Sequence, residues 1–329
     1  MNALSHALTG LSSLALAACI LAALRKIIQI ALRERFPVHR RGAVVITGAS
    51  SGIGRHAAEH LAARGYTVFA GVRKVRDAAA IKASGTRGMH ALLIDVNSRE
   101  SITKAVATLS IELQHLDMPL VGLVNNAGVG ESFAAELHPE DNARGMFETN
   151  FWGAVTLTRE ALPLLRAGRG RIIMISSVAA LISQPMTSMY CASKRALEGF
   201  TDSLRQEVRH FNISVSMLEP AYVQTDLLSK VQALKSTSDM TQQELDTKAK
   251  ADMLYPQFFS AQHREKKVRT MKSGDSPQVT SDAILDALAS PYPKTRYVVA
   301  SVNGTPAWVV AWIFWAVPDR LKDFLVNNI

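Results

Sequence analysis

The apolar positions of this chain fall into short runs that alternate with longer amphipathic stretches. Seven runs of four to six residues have the length and composition of buried β-strands: Ala43 to Ile46, Tyr66 to Ala70, His90 to Ile94, Leu120 to Val124, Arg171 to Ile175, Ile213 to Leu218 and Arg296 to Ala300. The helical stretches between them include Arg55 to Arg64, Arg99 to Leu113, Asp141 to Leu165 and Ser188 to Arg209. Strands that alternate with helices, without a Pro/Gly/Ser-rich linker, predict one α/β domain at residues 42–301, built on a doubly wound parallel sheet.

Two regions lie outside this alternation. Residues 226–276 form a long polar and charged insertion after the sixth strand, with aromatic residues at Tyr255, Phe258 and Phe259. A loop of this length is usually functional or disordered. Residues 302–329 are predicted to form an apolar, tryptophan-rich C-terminal helix, which fits either the edge of the core or a membrane interface.

The N-terminal segment carries no formally charged side chain from Met1 to Leu24. Its apolar run from Ala7 to Leu24 has about the minimum length of a membrane-spanning helix, and basic residues follow it rather than precede it. This charge order favours a signal-anchor that keeps the next domain in the cytosol. A cleaved signal peptide and a helix lying on the membrane surface are the alternatives. We expect residues 1–41 to attach the protein to the endoplasmic reticulum or another intracellular membrane.

Composition narrows the choice of partners. The chain has 329 residues, of which 48% are hydrophobic, and a formal net charge of +9. Much of the basic excess lies in Arg25 to Arg41 and His263 to Lys272, but no nucleic-acid motif accompanies it. We therefore expect an anionic membrane surface or an anionic cofactor rather than nucleic acid. The two cysteines, Cys19 and Cys191, are too few for a disulfide framework or a metal site, and no metal is expected.

The strongest chemical signal is the pair Tyr190 and Lys194, which are four residues apart in a predicted helix and therefore share one face. A tyrosine normally titrates near pH 10, which is too high for proton transfer at neutral pH. We expect the ammonium group of Lys194 to lower the pKa of Tyr190. Ser177, at the end of the fifth strand, is placed to hold a substrate carbonyl by a hydrogen bond. These three residues predict a proton-transfer site that needs a hydride partner.

A glycine-rich turn upstream predicts where that partner binds. The strand from Ala43 to Ile46 runs into Thr47-Gly48-Ala49-Ser50-Ser51-Gly52-Ile53-Gly54 and then into a helix. Backbone amides and a helix N-terminus in this arrangement bind the pyrophosphate of a dinucleotide. The second strand leads to Arg73 without an acidic residue for the ribose 2′-hydroxyl of NAD. Arg73 is therefore predicted to pair with the 2′-phosphate of NADP.

With these residues the chain resembles the short-chain dehydrogenase/reductase family from residue 41 to residue 301. The matching motifs, in chain order, are Thr47-Gly48-x-x-x-Gly52-x-Gly54, Asp95, Asn125-Asn126-Ala127-Gly128, Asn150, Ser177, Tyr190-x-x-x-Lys194 and Pro220…Thr225. The fuller strings around Gly48 and Tyr190 look most like the 17β-hydroxysteroid and retinol dehydrogenase branches. One departure is Ala221, where the family often has a glycine after the proline.

The resemblance implies a Rossmann-type fold and a role for each matching residue. Tyr190 would transfer the substrate proton, Lys194 would hold the nicotinamide ribose, Ser177 would orient the carbonyl, and Asn150 would connect to Lys194 through water. The residues implied at the cofactor are Thr47, Gly48, Ser50, Ser51, Gly52, Ile53, Gly54, Arg73, Asp95, Val96, Asn125, Ala127, Gly128, Tyr190, Lys194 and Thr225. Residues 226–276 would form the substrate lid, and the helices that carry Asn150 and Tyr190 are where family members often form homodimers.

The predicted function is an NADP(H)-dependent oxidoreductase that interconverts a hydroxyl and a carbonyl on an apolar substrate, such as a steroid, a retinoid or a related lipid. A 3-ketoacyl or 3-ketosphingoid reductase of lipid synthesis would use the same residues and is the first alternative. A non-catalytic NADP(H)-binding scaffold or sensor is the second. The presence of Ser177, Tyr190 and Lys194 argues against that second alternative.

Overall fold

The computed structural model describes residues 30–225 and 241–328, together with residues 20, 21, 23, 24, 27 and 28. The chain divides into two compact units, Met1–Phe36 and Pro37–Ile329. In the first unit, the described residues from 20 to 31 are helical. No helix in the described part of the chain is long and apolar enough to cross a bilayer. Most of the predicted anchor, Ala7 to Leu24, lies outside the described residues, so the anchor stays a prediction.

The second unit is built on a seven-stranded sheet in which every pairing is parallel. Its strands are β1 (Ala43–Thr47), β2 (Thr67–Val72), β3 (Met89–Leu93), β4 (Leu120–Asn125), β5 (Arg171–Ile175), β6 (Ser214–Pro220) and β7 (Arg296–Val299). Their spatial order is β3-β2-β1-β4-β5-β6-β7. All seven strands expected from the apolar runs are present, which confirms the Rossmann-type parallel sheet.

Helices follow most of the strands and cover the sheet. In chain order they are α1 (Gly52–Ala62), α2 (Val75–Ala83), α3 (Arg99–His115), α4 (Glu140–Phe147), α5 (Gly153–Gly168), α6 (Ser188–Val208), α7 (Gln242–Leu254), α8 (Pro256–Phe259), α9 (Ala261–Lys272), α10 (Gln278–Ala289), α11 (Ala307–Ala316) and α12 (Asp319–Asn328). A π-helical turn, Glu148–Trp152, joins α4 to α5. A short antiparallel pair, β8 (Ser301–Val302) and β9 (Thr305–Pro306), precedes α11.

The hydrophobic core lies on both faces of the sheet. Alternate residues of β1 point to opposite faces, so that Val44 and Ile46 join one cluster while Ala43 and Val45 join the other. The first cluster includes residues of α1 and α10, and the second includes residues of α3, α5 and α6. Strands β1, β4 and β5 are buried along their whole length for this reason.

Two segments differ from the sequence expectation. The helical stretch from Asp141 to Leu165 is interrupted by the π-helical turn. The C-terminal segment forms two helices instead of one because Pro318 cannot continue a helix and holds the preceding Val317 in an extended conformation. Of the predicted lid, residues 241–276 contain α7, α8 and α9, and residues 226–240 lie outside the described part, so the lid stays a prediction.

The strand order reverses beside β1, because β2 and β3 lie on one side of it and β4 to β7 on the other. In open α/β sheets, ligands bind outside the carboxyl ends of the strands at such a reversal. The glycine-rich turn follows β1, and Ser177 lies just after β5, so both are at this edge.

Candidate active site

The glycine-rich turn joins β1 to α1. Gly48 and Gly52 have φ values of +66° and +58°, a region that residues with a Cβ rarely adopt. A Cβ at Gly54 would lie 2.4 Å from the carbonyl oxygen of Gly48, so only glycine lets the helix approach the turn this closely. Ser51, the N-cap of α1, makes no side-chain capping hydrogen bond, and the first-turn amides are available to an anion. This cradle fits the pyrophosphate of a dinucleotide.

Thr47 and Asn126 connect this turn to the loop after β4. The Thr47 hydroxyl accepts hydrogen bonds from the backbone amides of Asn126 (3.0 Å) and Ala127 (2.9 Å). The Asn126 side chain donates to the carbonyl oxygens of Thr47 (2.8 Å) and Gly48 (3.3 Å). Thr47 is buried and supports the cradle from behind. Asn126 is not among the predicted site residues, although the double asparagine after β4 is a visible signal.

Asn125, which was predicted beside the cofactor, points away from the cavity. As the last residue of β4, it alternates with Asn126 across the sheet. Its side-chain amide donates to the Thr158 hydroxyl (2.9 Å) and to the sulfur of Met174 (3.3 Å). Its side chain is therefore part of the core rather than of the cavity wall.

The other predicted cofactor residues surround one cavity of about 2170 Å³. The residues that line it are Gly48, Ser50, Ser51, Gly52, Ile53, Gly54, Arg73, Asp95, Val96, Ala127, Gly128, Tyr190, Lys194 and Thr225. Arg73 is exposed directly after β2. The Asp95 carboxylate accepts a hydrogen bond from the amide of Asn97 (3.0 Å), which is also what a structural aspartate at a turn does.

Tyr190 and Lys194 lie one turn apart on α6, beside the end of β5. The Lys194 ammonium lies 5.9 Å from the centre of the Tyr190 ring and donates a hydrogen bond to the carbonyl oxygen of Ile175 (2.9 Å). The Ser177 hydroxyl accepts a hydrogen bond from the amide of Ala179 (3.1 Å) and lies close enough to Tyr190 to lower its pKa in part. The structure therefore brings together the serine, tyrosine and lysine that the sequence predicts.

Burial moves both titrating groups of this site toward their neutral forms. The pKa of Tyr190 is raised above its ordinary value, mainly by burial, and the nearby Ser177 hydroxyl offsets only part of this. Burial lowers the pKa of Lys194 to about 8, although the nearby Glu198 carboxylate opposes the change. The expectation of a lowered tyrosine pKa is therefore wrong for this arrangement. Burial is the largest cause of the shift, and Lys194 is not among the groups that move the pKa of Tyr190.

Asn150 lies in the π-helical turn, a feature often found at functional sites. Its side chain makes a double hydrogen bond with the backbone of Val129, accepting from the amide (2.8 Å) and donating to the carbonyl (2.9 Å), and it also donates to Ser193 (3.0 Å). A Cβ at Gly128 would lie 3.3 Å from the Asn150 oxygen and 3.5 Å from the Lys194 nitrogen. Asn150 therefore fixes the loop next to Lys194. The water-mediated relay stays a prediction.

Ser176 faces a partly buried ionic cluster behind the catalytic residues. Its hydroxyl donates to Glu198 (2.9 Å), and Arg296 of β7 contacts Glu198 (2.9 Å), Glu219 (2.6 Å) and Asp202 (2.6 Å). Glu219 is fully buried. Burial, helped by Glu198, raises the pKa of Glu219 to about 7 in spite of Arg296. The sequence does not predict this cluster, because its members come from strands and a helix that are far apart in the chain.

The remaining wall of the cavity comes largely from the lid and the C-terminal helices. Aromatic and aliphatic side chains line it on this side: Phe258, Phe259, Val310 and Phe314. Tyr255 of the lid donates a hydrogen bond to the carboxylate of Glu136 (2.5 Å), which connects the lid to the segment between β4 and α4. These apolar side chains share the wall with polar and charged ones, among them Thr247, Gln257 and His263.

Known proteins resemble this chain over most of its length. The family described as short chain dehydrogenase matches residues 42–236. The chain is 34% identical over 286 residues to the uncharacterized oxidoreductase YbbO of Escherichia coli K12, covering 87% of this chain and 94% of that protein. It is 32% identical over 290 residues to human 17-beta-hydroxysteroid dehydrogenase type 6, covering 87% of each. It is 30% identical over 290 residues to human retinol dehydrogenase 16, covering 85% of this chain and 90% of that protein.

Solved structures share the fold. A short-chain dehydrogenase from Streptomyces avermitilis superposes with a TM-score of 0.64 at 26% identity, covering 88% of this chain and 95% of that one. A short-chain dehydrogenase from Burkholderia cenocepacia, solved in complex with NADP, has a TM-score of 0.64 at 22% identity, covering 87% of this chain and 98% of that one. The resemblance drawn from the sequence motifs is confirmed.

Proposed function

Because the chain belongs to the short-chain dehydrogenase family, we propose that it is an NADP(H)-dependent oxidoreductase that interconverts a hydroxyl and a carbonyl on an apolar substrate, such as a steroid, a retinoid or a related lipid. Oxidoreductases of this family act on CH–OH and C=O groups with a nicotinamide cofactor. The observation that carries the proposal is the meeting of Ser177, Tyr190 and Lys194 in the cavity that also contains the glycine-rich cradle.

The three side chains divide the proton chemistry between them. A bound nicotinamide cofactor supplies the hydride in reduction and accepts it in oxidation. In reduction, the Tyr190 hydroxyl gives its proton to the substrate oxygen, and its raised pKa keeps it protonated at neutral pH. The Ser177 hydroxyl holds the same oxygen in place. Lys194, with a pKa of about 8, is mostly protonated at pH 7 and stabilises the phenolate that remains.

The preference for NADP is supported by the basic rim of the cavity after β2. Arg73, Lys74 and Arg76 all line the cavity, and no carboxylate ends β2. Asp77, in the first turn of α2, lies 3.6 Å from Arg76, so the rim keeps a positive balance. A guanidinium group matches the geometry of the 2′-phosphate.

The apolar substrate class is supported by the wall formed by the lid and α11. Lys248 and Lys266 also line the cavity, with Lys248 lying 3.8 Å from Asp252. These lysines favour a second candidate, a 3-ketoacyl substrate whose thioester carrier contains phosphate groups. Both candidates use the same catalytic residues and differ only in what the lid contacts.

We further propose that residues 1–41 attach the protein to the endoplasmic reticulum or another intracellular membrane, with the catalytic domain in the cytosol. The support is the order of the uncharged segment Met1 to Leu24 and the basic segment Arg25 to Arg41. A homodimer through the helices that carry Asn150 and Tyr190 is a further proposal, and it rests on the family resemblance alone.

An NADPH-oxidation screen of the full-length, detergent-solubilised protein tests the function. Steroids, retinaldehyde and 3-ketoacyl thioesters are each supplied with NADPH and with NADH. We expect turnover of an apolar ketone or aldehyde with a preference for NADPH. Ser177→Ala should lose most of this turnover, whereas the neighbouring Ser176→Ala should keep most of it.

Other outcomes of the screen separate the alternatives. Turnover of the thioesters alone would favour the 3-ketoacyl candidate. NADPH binding without turnover of any of these carbonyl compounds would support a scaffold or sensor and contradict the proposed activity.

A further inference from the structure

Helix α11, Ala307–Ala316, contains no charged residue and has two different faces. Ala307, Val310 and Phe314 have the spacing of one helical face. Ala307 and Phe314 are buried, and Val310 and Phe314 line the catalytic cavity. This face of α11 is therefore part of the enzyme's interior.

The other face carries three tryptophans. Trp308, Trp312 and Trp315, spaced by four and three residues, form one stripe, which we call the tryptophan surface. Their exposed fractions are 63%, 47% and 74%. On the adjoining helix α12, Leu321 and Phe324 are 44% and 61% exposed. Large apolar side chains clustered at this exposure mark an interaction surface.

A lipid bilayer fits this surface through both its aromatic and its charged neighbours. Tryptophan is enriched at the headgroup level of membranes, because its ring is apolar and its N–H finds a polar partner there. Helix α9 borders the same cavity through Val268 and Met271, and its Lys266, Arg269 and Lys272 are exposed. The basic residues of α9 and the formal net charge of +9 favour an anionic headgroup layer as the partner.

The length of α11 determines how it meets the bilayer. Ten residues rise about 15 Å, which is about half of the hydrocarbon core. The helix is therefore suited to lie in the interface rather than to cross it. In that position the apolar stripe enters the lipid.

We propose that the tryptophan surface docks the catalytic domain on an anionic lipid bilayer, so that α11 has lipid on one face and the catalytic cavity on the other. An apolar substrate then moves from the bilayer along α11 to Tyr190. The docking does not depend on the proposed function. The route of the substrate does rest on the proposed function.

Quenching of tryptophan fluorescence by brominated phospholipids tests the docking. The chain has four tryptophans, so Trp152→Phe leaves only those of α11 as reporters. The full-length Trp152→Phe protein is mixed with phosphatidylcholine–phosphatidylserine vesicles, with or without bromine on the acyl chains. We expect bromine to reduce the emission by about half, since an interfacial helix buries its apolar face about 5–10 Å into the boundary with the acyl chains.

Two further variants in the same background make the result specific. Trp312→Glu places a charge at the centre of the stripe and should remove most of the quenching. Ile111→Glu changes an equally exposed aliphatic residue on α3 (52% exposed) and should leave the quenching unchanged.

Three results would overturn the docking. Vesicle binding without any effect of bromine would mean that residues 1–41 alone attach the protein. A shift of the emission that depends on protein concentration and not on vesicles would mean that a second copy covers the surface. Tryptophan emission that is already typical of buried rings, and that changes neither with protein concentration nor with vesicles, would mean that another segment of the chain covers the tryptophan surface. None of these readouts requires turnover, so an inactive enzyme in the NADPH screen leaves this test unaffected.

Discussion

Replacing Glu219 with glutamine should change how stability depends on pH. The Glu219 side chain is fully buried, and one of its oxygens contacts Arg296 at 2.6 Å. Its other oxygen has no hydrogen-bond partner among the described residues. The charges that face it are Glu198 and Asp202 on α6 and Arg296 on β7. Burial and the neighbouring carboxylate raise the pKa of Glu219 from 4.5 to about 7.

The sign of the effect follows from proton binding. Between pH 4.5 and pH 7, the unfolded chain has released this proton and the native protein has kept it. The free energy of unfolding therefore falls as the pH rises through this window. One pKa unit corresponds to about 1.4 kcal/mol. Raising the pKa of Glu219 from 4.5 to about 7 therefore lowers the free energy of unfolding by about 3 kcal/mol above pH 7 and leaves it unchanged below pH 4.5. Glutamine cannot ionise and does not lose this stability.

Urea denaturation at a series of pH values from 5 to 8 measures the effect. The free energy of unfolding of Glu219→Gln, relative to wild type, should increase by about 2 kcal/mol or more across this range. Arg296 keeps Glu198 and Asp202 as partners in the variant. Glu59→Gln removes a half-exposed carboxylate and serves as the control. Its free energy of unfolding, plotted against pH, should run parallel to that of the wild type. Parallel curves for Glu219→Gln as well would refute a protonated Glu219 at neutral pH.

Three further substitutions test the catalytic and cofactor sites. Tyr190→Phe keeps the ring but removes the proton donor, so kcat should fall by about 10²-fold or more. NADPH binding, measured by fluorescence, should be unchanged. Near-normal turnover would exclude Tyr190 as the proton donor. Arg73→Asp replaces attraction to the 2′-phosphate by repulsion, so the preference in kcat/KM should shift from NADPH toward NADH. A wild-type enzyme that already prefers NADH would contradict the pairing of Arg73 with the 2′-phosphate. Gly54→Ala places a Cβ 2.4 Å from the Gly48 carbonyl oxygen, and should cost about 1–3 kcal/mol of stability and weaken NADPH binding. Gly199→Ala, where the Cβ meets nothing within 4 Å, serves as the control for that substitution, and equal binding by the two variants would argue against the tight turn.

Features that depend on one continuous segment could be predicted from the sequence. A buried strand appears as an apolar run, and all seven strands of the sheet were found in this way. The pairing of Tyr190 with Lys194 needs only the helical spacing, and the glycine-rich cradle needs only one turn between a strand and a helix. These features are encoded by residues close together in the chain.

Features that depend on several segments could not be predicted. The cluster around Arg296 joins residues from α6, β6 and β7, and nothing in their local sequence indicates that they meet. The raised pKa of Tyr190 depends on how much of the fold covers it. Asn125 and Asn126 look equivalent in the sequence, and only the position where β4 ends decides which of them faces the core.

The two walls of the cavity come from different parts of the fold. Ser177, Tyr190 and Lys194 belong to a wall whose hydrogen bonds run into β5 and the loops of the sheet. Phe258 and Phe259 belong to residues 241–276, which are bonded to the segment between β4 and α4 through Tyr255 and to the segment after β6 through Lys272 and Asp275. Changes on the lid side can therefore accumulate without disturbing proton transfer. An enzyme organised in this way can acquire a new substrate, by natural drift or by directed evolution, while its chemistry stays the same.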